Sequence, residues 1–236
     1  MEFEGLIKHP IFVSEDLVIE YYTREVPSDI LAFTANGLFR RAIEDGVILN
    51  GMGFYGPELY KNGYDIIAIK NNAYDYYTGI IPNVDKIVET ILSFIKDKYK
   101  RKVFFGGCAS SWVSLILSKP LEFDTVFLQM PRNEILATDC DNKGVALKID
   151  LDKDLVSSKC HYILCCNFNH EWDHENLLRF SDVIDKNNKT VVNIPDDPSV
   201  HDIILTVKKY KVWKRFIFNI LRYGKIIEHP GLWIQN

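Results

Sequence analysis

The sequence predicts an α/β fold, a mainly parallel sheet with helices on both faces, entered through an antiparallel hairpin. Short β-rich runs alternate with stretches of helical periodicity along most of the chain. The first 25 residues break that rhythm, holding two β-rich runs with no helix between them. With 236 residues, 47% of them hydrophobic, the chain can fill one sizeable core. It has no internal repeat and no linker rich in Gly, Pro or Ser, which predicts a single domain over residues 1–236.

Each element follows from its local pattern. Residues 11–25 (IFVSEDLVIEYYTRE) read as a hairpin turned at residues 14–16. Residues 29–34 (DILAFT) and 64–70 (YDIIAIK) read as strands on either side of a loop region holding Gly46, Gly51, Gly53 and Gly56. Residues 83–99 place Val84, Ile87, Val88, Ile91, Leu92 and Ile95 at helical spacing behind Asn83 as N-cap. A strand at 102–105, a glycine turn and an apolar helix at 110–117 follow, the helix stopped before Pro120. Residues 123–130, 161–166 and 190–194 are the later strands, with helices near 173–185 and from about 203 to 221. Residues 131–158 are polar and weakly periodic, and read as a small insertion or cap.

Composition narrows the function. The 28 basic and 32 acidic residues give a formal charge of −4, with no positive excess to hold a phosphate backbone, so no nucleic-acid partner is expected. The first residues, MEFEGLIKHP, are acidic where a secretory signal is basic, and no apolar run approaches the roughly 20 residues that span a bilayer. Both observations predict a cytoplasmic location. The cysteines at 108, 140, 160, 165 and 166 are odd in number and lack framework spacing, which predicts reduced thiols.

The chemistry concentrates at residues 103–111 (VFFGGCASS), which read as strand, tight turn and helix start. A nucleophile on such a turn projects above the carboxyl end of a sheet, and the residues two before and two after must be small because strand and helix nearly touch. Gly106 and Ser110 meet that demand around Cys108; around Ser110 the flanks would be Cys108 and Trp112, and an indole does not fit. The helix N-terminus that follows favours a thiolate. The competing reading is a buried, inert cysteine in a glycine-rich strand end. Two features downstream support the nucleophile. Asp173 stands in the loop after one later strand, and His201 in the loop after the next, which places a nucleophile, an acid and a base in chain order.

With this order the chain resembles the α/β-hydrolase superfamily over nearly its whole length. The resemblance implies that Cys108 is the nucleophile, Asp173 the acid and His201 the base. It also implies an oxyanion hole from Asn36 and Gly37, after the strand DILAFT, with the backbone N–H of Ala109. Cysteine in place of serine is similar to the dienelactone hydrolase-like members, and Ser110 in place of the second motif glycine points to a tighter or shifted elbow. The segment 51–56 (GMGFYG) with YKNGYDIIAIKNNAYDYYTG is similar to bacterial glycan O-acyltransferase-like members of the superfamily. That likeness implies an ester substrate on a glycan, faced by Tyr74, Tyr76 and Tyr77 with Asn71 and Asn72; alternatively the tyrosines pack beneath the loop. The side chains complete the chemistry alone, so no cofactor is expected.

Other constellations compete. His170-Glu171-Trp172-Asp173-His174 spells H-E-x-x-H, a zinc-peptidase pattern, but it follows directly on a strand and lacks a third ligand at a recognisable spacing. Cys160, His161, Cys165, Cys166, His170 and His174 could form a metal cluster, although strand alternation sends Cys165 and Cys166 to opposite faces. Lys208, Lys209, Lys211, Lys214, Arg215 and Arg222, interleaved with Tyr210, Trp213 and Phe216, suit either a solvated helix face or a peripheral contact with an anionic membrane. A non-catalytic scaffold that keeps the sheet without turnover is the alternative to an enzyme.

Overall fold

The computed structural model describes residues 6–35, 43–44, 47–48, 51–71, 77–135, 147–148, 150–229 and 233–235. Among them the chain divides into two compact units, Met1–Gly106 and Gly107–Asn236.

In the first unit, β1 (Ile7–Val13) and β2 (Leu17–Thr23) form the expected antiparallel hairpin. Its turn is closed by Ser14, whose N–H donates to the Leu17 carbonyl at 2.8 Å while its hydroxyl accepts from Leu17 N–H at 3.1 Å. β3 (Ile30–Ala35) follows, then a two-residue ladder of β4 (Ile43–Glu44) and β5 (Val47–Ile48). Within the glycine-rich stretch lies a helix the periodicity did not announce, α1 (Gly56–Lys61), with proline in its first turn. β6 (Asp65–Asn71), α2 (Val84–Ile95) and β7 (Arg101–Cys108), which runs on into the second unit, complete the series. The strands run in the order β1-β2-β6-β3-β7, the first two pairings antiparallel and the next two parallel. Asn83 stands at the α2 cap position without capping it; its side-chain amide donates to the Gly79 carbonyl instead.

β2 is buried along its whole length, which forces a solution for its one charged residue. Glu20 meets Lys70 of β6 and the Tyr22 hydroxyl at close range, with Lys8 Nζ at 3.0 Å. Burial alone would push the Glu20 carboxyl up, but the bonds from Lys70 and Tyr22 outweigh it and hold it below its usual range.

In the second unit, α3 (Ser111–Ser118) leads to β8 (Thr125–Pro131), a two-residue ladder of β9 (Glu134–Ile135) and β10 (Leu147–Lys148), and β11 (His161–Cys166). α4 (Glu171–Val183), β12 (Lys189–Asn193), α5 (Ile203–Lys209), α6 (Trp213–Tyr223) and β13 (Trp233–Gln235) follow. β8, β11 and β12 are parallel neighbours, and β13 adds an antiparallel edge that the sequence did not reveal. The ladder of β9 and β10 and a 3-10 turn at Lys153–Leu155 lie within the stretch read as an insertion.

The long helix expected from 203 to 221 is two helices. The chain breaks at Lys211, whose φ of 56° lies in the left-handed region that ends a helix. Phe216, Ile217, Ile220 and Leu221 of α6 are buried, with Phe216 edge-on to Phe127 of β8 at 5.6 Å, while Lys208, Lys209, Lys211, Lys214, Arg215 and Arg222 are exposed. Among the described residues no helix is long and apolar enough to cross a membrane.

Candidate active site

β7 ends on Cys108, and the backbone there is strained. Its φ of 48° is a left-handed conformation that a side chain carrying Cβ disfavours by about 1–2 kcal/mol. The bend turns the strand into α3 within three residues and leaves Cys108 half-buried while Ala109, Ser110 and Ser111 are buried completely. Such strain in a buried turn marks a position that the surrounding structure holds for a purpose.

Two neighbours make the turn possible. A Cβ on Gly107 would lie 2.3 Å from Gln129 Cγ and 2.5 Å from the Gln129 carbonyl oxygen, so only glycine lets the end of β7 lie this close to β8. Ser110, where the superfamily motif has glycine, clamps the elbow. Its hydroxyl accepts from Gly107 N–H at 3.1 Å and donates to the Gly107 carbonyl at 3.0 Å. A hydroxyl committed twice to backbone and buried is a structural group, which separates Ser110 from Cys108 on geometry as well as on flanking size.

The histidine arrives from the loop between β12 and α5. Asn167, at the end of β11 and fully buried, pins that loop: its amide donates to the carbonyls of Asp197 at 2.8 Å and Val200 at 3.2 Å, and its carbonyl oxygen accepts from the N–H groups of Asn169 and Asp196. Asp202 then caps α5 by accepting from Ile204 N–H at 2.9 Å. His201, held between these anchors, places Nδ1 2.5 Å from Oδ2 of Asp173. Asp173, in the first turn of α4, is fully buried. Burial works against a charge on His201, but Asp173, through its hydrogen bond and its charge, and the nearby Cys108 thiol outweigh it and raise the imidazole to about 9. Of the three side chains named from the sequence, Asp173 and His201 are joined by a hydrogen bond, and the Cys108 thiol acts with Asp173 to raise the imidazole.

Three further residues complete the cluster. A terminal guanidinium nitrogen of Arg132, just beyond β8, lies 3.4 Å from Asp173 Oδ1 and 3.4 Å from His201 Nδ1, and the guanidinium carbon stacks 3.7 Å over the Trp172 ring. His170 is the N-cap of α4, its Nδ1 accepting from Asp173 N–H at 3.3 Å, and its ring is 5.6 Å from that of His201. The only signal in the sequence for Arg132 was its place at the carboxyl end of a buried strand, where α/β sheets carry their functional groups.

Metal readings fare differently. His174 stacks flat on Phe168, 4.2 Å away at 10°, while His170 turns to Asp173. The H-E-x-x-H histidines thus face different neighbours across a helix start instead of sharing one helix face, and do not form a metal pair. Donor atoms of His170, Asp173 and His201 lie within 4.8 Å of one another, but the Arg132 guanidinium already brings a positive charge to the same carboxylate and ring, which opposes a second cation. Cys165 and Cys166 are fully buried; burial first, and then the neighbouring charges of Cys166 and Asp173 respectively, push their thiols well up, as for packed core cysteines. Tyr77 is fully buried with its hydroxyl 3.4 Å from the Ile69 carbonyl, the setting of a packing residue and not of one that faces a sugar. Asn36, Gly37, Asn72, Tyr74, Tyr76 and Cys140 lie outside the described residues.

By sequence the chain matches no family model and no curated protein. Solved structures share its fold. A sugar hydrolase (YeeB) from Lactococcus lactis superposes with a TM-score of 0.61 at 9% identity, covering 92% of this chain and 98% of its own. The capsule O-acetyltransferase of Neisseria meningitidis serogroup A superposes at 0.56 and 12% identity, covering 90% and 95%, and the Francisella virulence factor BioJ at 0.56 and 14%, covering 94% and 85%. The fold is that of the α/β-hydrolases, with a mainly parallel sheet entered by an antiparallel hairpin.

Proposed function

We propose that this chain, with its α/β-hydrolase fold, is an acyl hydrolase or acyltransferase that works through a thioester on Cys108. The observation that carries the reading is the left-handed Cys108 at a strand-to-helix turn, together with a His201 imidazole that is bonded to buried Asp173 and raised in part by the Cys108 thiol. A serine esterase on Ser110 would need that hydroxyl free, and it is spent on Gly107.

The chemistry follows from the proton positions. Nδ1 of His201 stays on Asp173, and Nε2 takes the Cys108 thiol proton, a transfer favoured by an imidazole raised to about 9. The thiolate attacks the ester carbonyl, forming a C–S bond, and the negative charge collects on the former carbonyl oxygen, where the Ala109 backbone N–H is the donor we assign. As the tetrahedral species collapses, the C–O bond breaks and His201 delivers its proton to the departing alkoxide. Water or an acceptor hydroxyl then attacks the thioester carbonyl, gives a proton to His201 and regenerates the pair. Asp173 holds the ring throughout. An O-acetyltransferase and a sugar hydrolase among the structural neighbours support a glycan-borne ester as the substrate.

The test is acetylation by p-nitrophenyl acetate, with the modified residue mapped by mass spectrometry. The expected result is a burst of one p-nitrophenol per chain, a thioester on Cys108, and a loss of roughly 10²–10⁴-fold in His201→Ala. A label on Ser110 or Ser111 overturns the nucleophile; a Cys108 no faster than free cysteine overturns the enzyme reading in favour of a scaffold.

A further inference from the structure

Arg132 occupies an unusual place for a cation. It stands two residues past Met130, whose φ of 45° makes it a second left-handed residue at a strand end beside this site, and it is only 8% exposed. A guanidinium in such a place needs partners, and the Trp172 ring beneath it and the carboxylate of Asp173 at its edge are among them. The two oxygens of Asp173 are thereby divided, Oδ2 toward His201 and Oδ1 toward Arg132. The same guanidinium nitrogen lies as near to His201 Nδ1, so when the ring is protonated two positive groups face each other.

We infer that Arg132 is a positioning residue for the thioester chemistry proposed above: it holds Asp173 by one oxygen and, by sharing that carboxylate's charge, limits how tightly His201 keeps the proton owed to the leaving group. The physical reason lies in the task of the ring. A desolvated carboxylate acting on imidazole unopposed makes a strong base and a correspondingly weak acid, whereas proton delivery is fastest when the donor's affinity stays near the working pH. A fixed cation beside both partners opposes the carboxylate without displacing it. Consistent with this, burial and the Arg132 charge both act to lower the His201 proton affinity, against Asp173 and the Cys108 thiol, which raise it. Among the described residues, the titratable and charged groups around the ring are Asp173 and His170 from the start of α4, Cys108 from β7, Arg132 after β8 and Asp202 beside it in the chain, with Cys166 of β11 behind Asp173.

The test reads the proton directly. Histidine side chains of the ¹⁵N-labelled full chain are titrated by NMR in wild type, Arg132→Met and Arg132→Lys, alongside the rate of Cys108 alkylation by iodoacetamide. The expected result is a His201 midpoint about one unit higher in Arg132→Met, a tenfold rise in proton affinity, and a return most of the way to wild type in Arg132→Lys. An unmoved midpoint in a folded Arg132→Met, or a Lys variant shifted as far as Met, overturns the inference, because a merely packing role loses fit without moving the titration. Should Arg132→Met fail to fold, Trp172→Leu keeps the charge and removes its platform; its midpoint is expected to rise by less, and no movement there overturns the inference equally. The two readings separate cleanly. A sluggish wild-type Cys108 beside a moved His201 sinks the thioester chemistry alone, and a reactive Cys108 beside an unmoved His201 sinks the role of Arg132 alone.

Discussion

Asp173 Oδ2 and His201 Nδ1 meet at 2.5 Å across 28 residues of chain, the carboxylate wholly buried and the imidazole about a third exposed. That asymmetry suits a relay. The buried member supplies a fixed charge that solvent does not screen, and the exposed member can still reach a substrate.

The pair makes stability depend on pH with a definite sign. The His201 imidazole sits at about 9 in the folded chain against an ordinary 6.5, so between those values the folded state holds a proton that the unfolded state has released. Its contribution is fully present below about 6.5 and disappears as pH rises through about 9. Melting temperature is expected to fall across that window in wild type and to fall less in His201→Phe, as read by circular dichroism at constant ionic strength.

Asn167 is expected to matter through the loop it anchors. Asn167→Asp keeps the shape but loses both amide donors and turns a carboxylate toward the carbonyls of Asp197 and Val200. The expected cost is about 2–4 kcal/mol in urea unfolding. Because those carbonyls belong to the loop carrying His201, Cys108 alkylation should also lose its dependence on His201 in the folded variant.

Strain at Cys108 predicts a trade of stability for reactivity. Cys108→Gly and Cys108→Ala both remove the thiol, but only glycine relieves a φ of 48°. Cys108→Gly should exceed Cys108→Ala in stability by about 1 kcal/mol, a difference of about 2–4 °C in melting temperature for a chain of this size, with acylation absent from both.

Gly107→Ala should fail through overpacking. The added methyl would stand 2.5 Å from a backbone carbonyl of β8, which cannot swing aside as a side chain can. A loss of about 3 kcal/mol or more is expected in chemical denaturation. Wild-type stability in that variant would show that the ends of β7 and β8 lie farther apart than described here.

The order of strands and helices was legible because periodicity is local. β-branched runs, Asp202 ahead of α5 and the small residues around Cys108 report their own backbone. The sharp turn from β7 into α3 could be read from the small residues around Cys108. The break at Lys211 could not, since nothing in a lysine announces a left-handed φ. Nor could β13, a three-residue edge strand that exists only because β12 offers it a partner.

What the chain dictated by itself was therefore the fold class and the pairing of Asp173 with His201, since chain order and strand ends bring those loops together before any coordinate is known. What only the tertiary structure decided was their surroundings: the Ser110 clamp, the Asn167 anchor and the Arg132 cation between Asp173 and Trp172. Charge and hydrogen bonding act through space between residues dozens of positions apart, and no local pattern in a sequence records which of them will come within 3–4 Å.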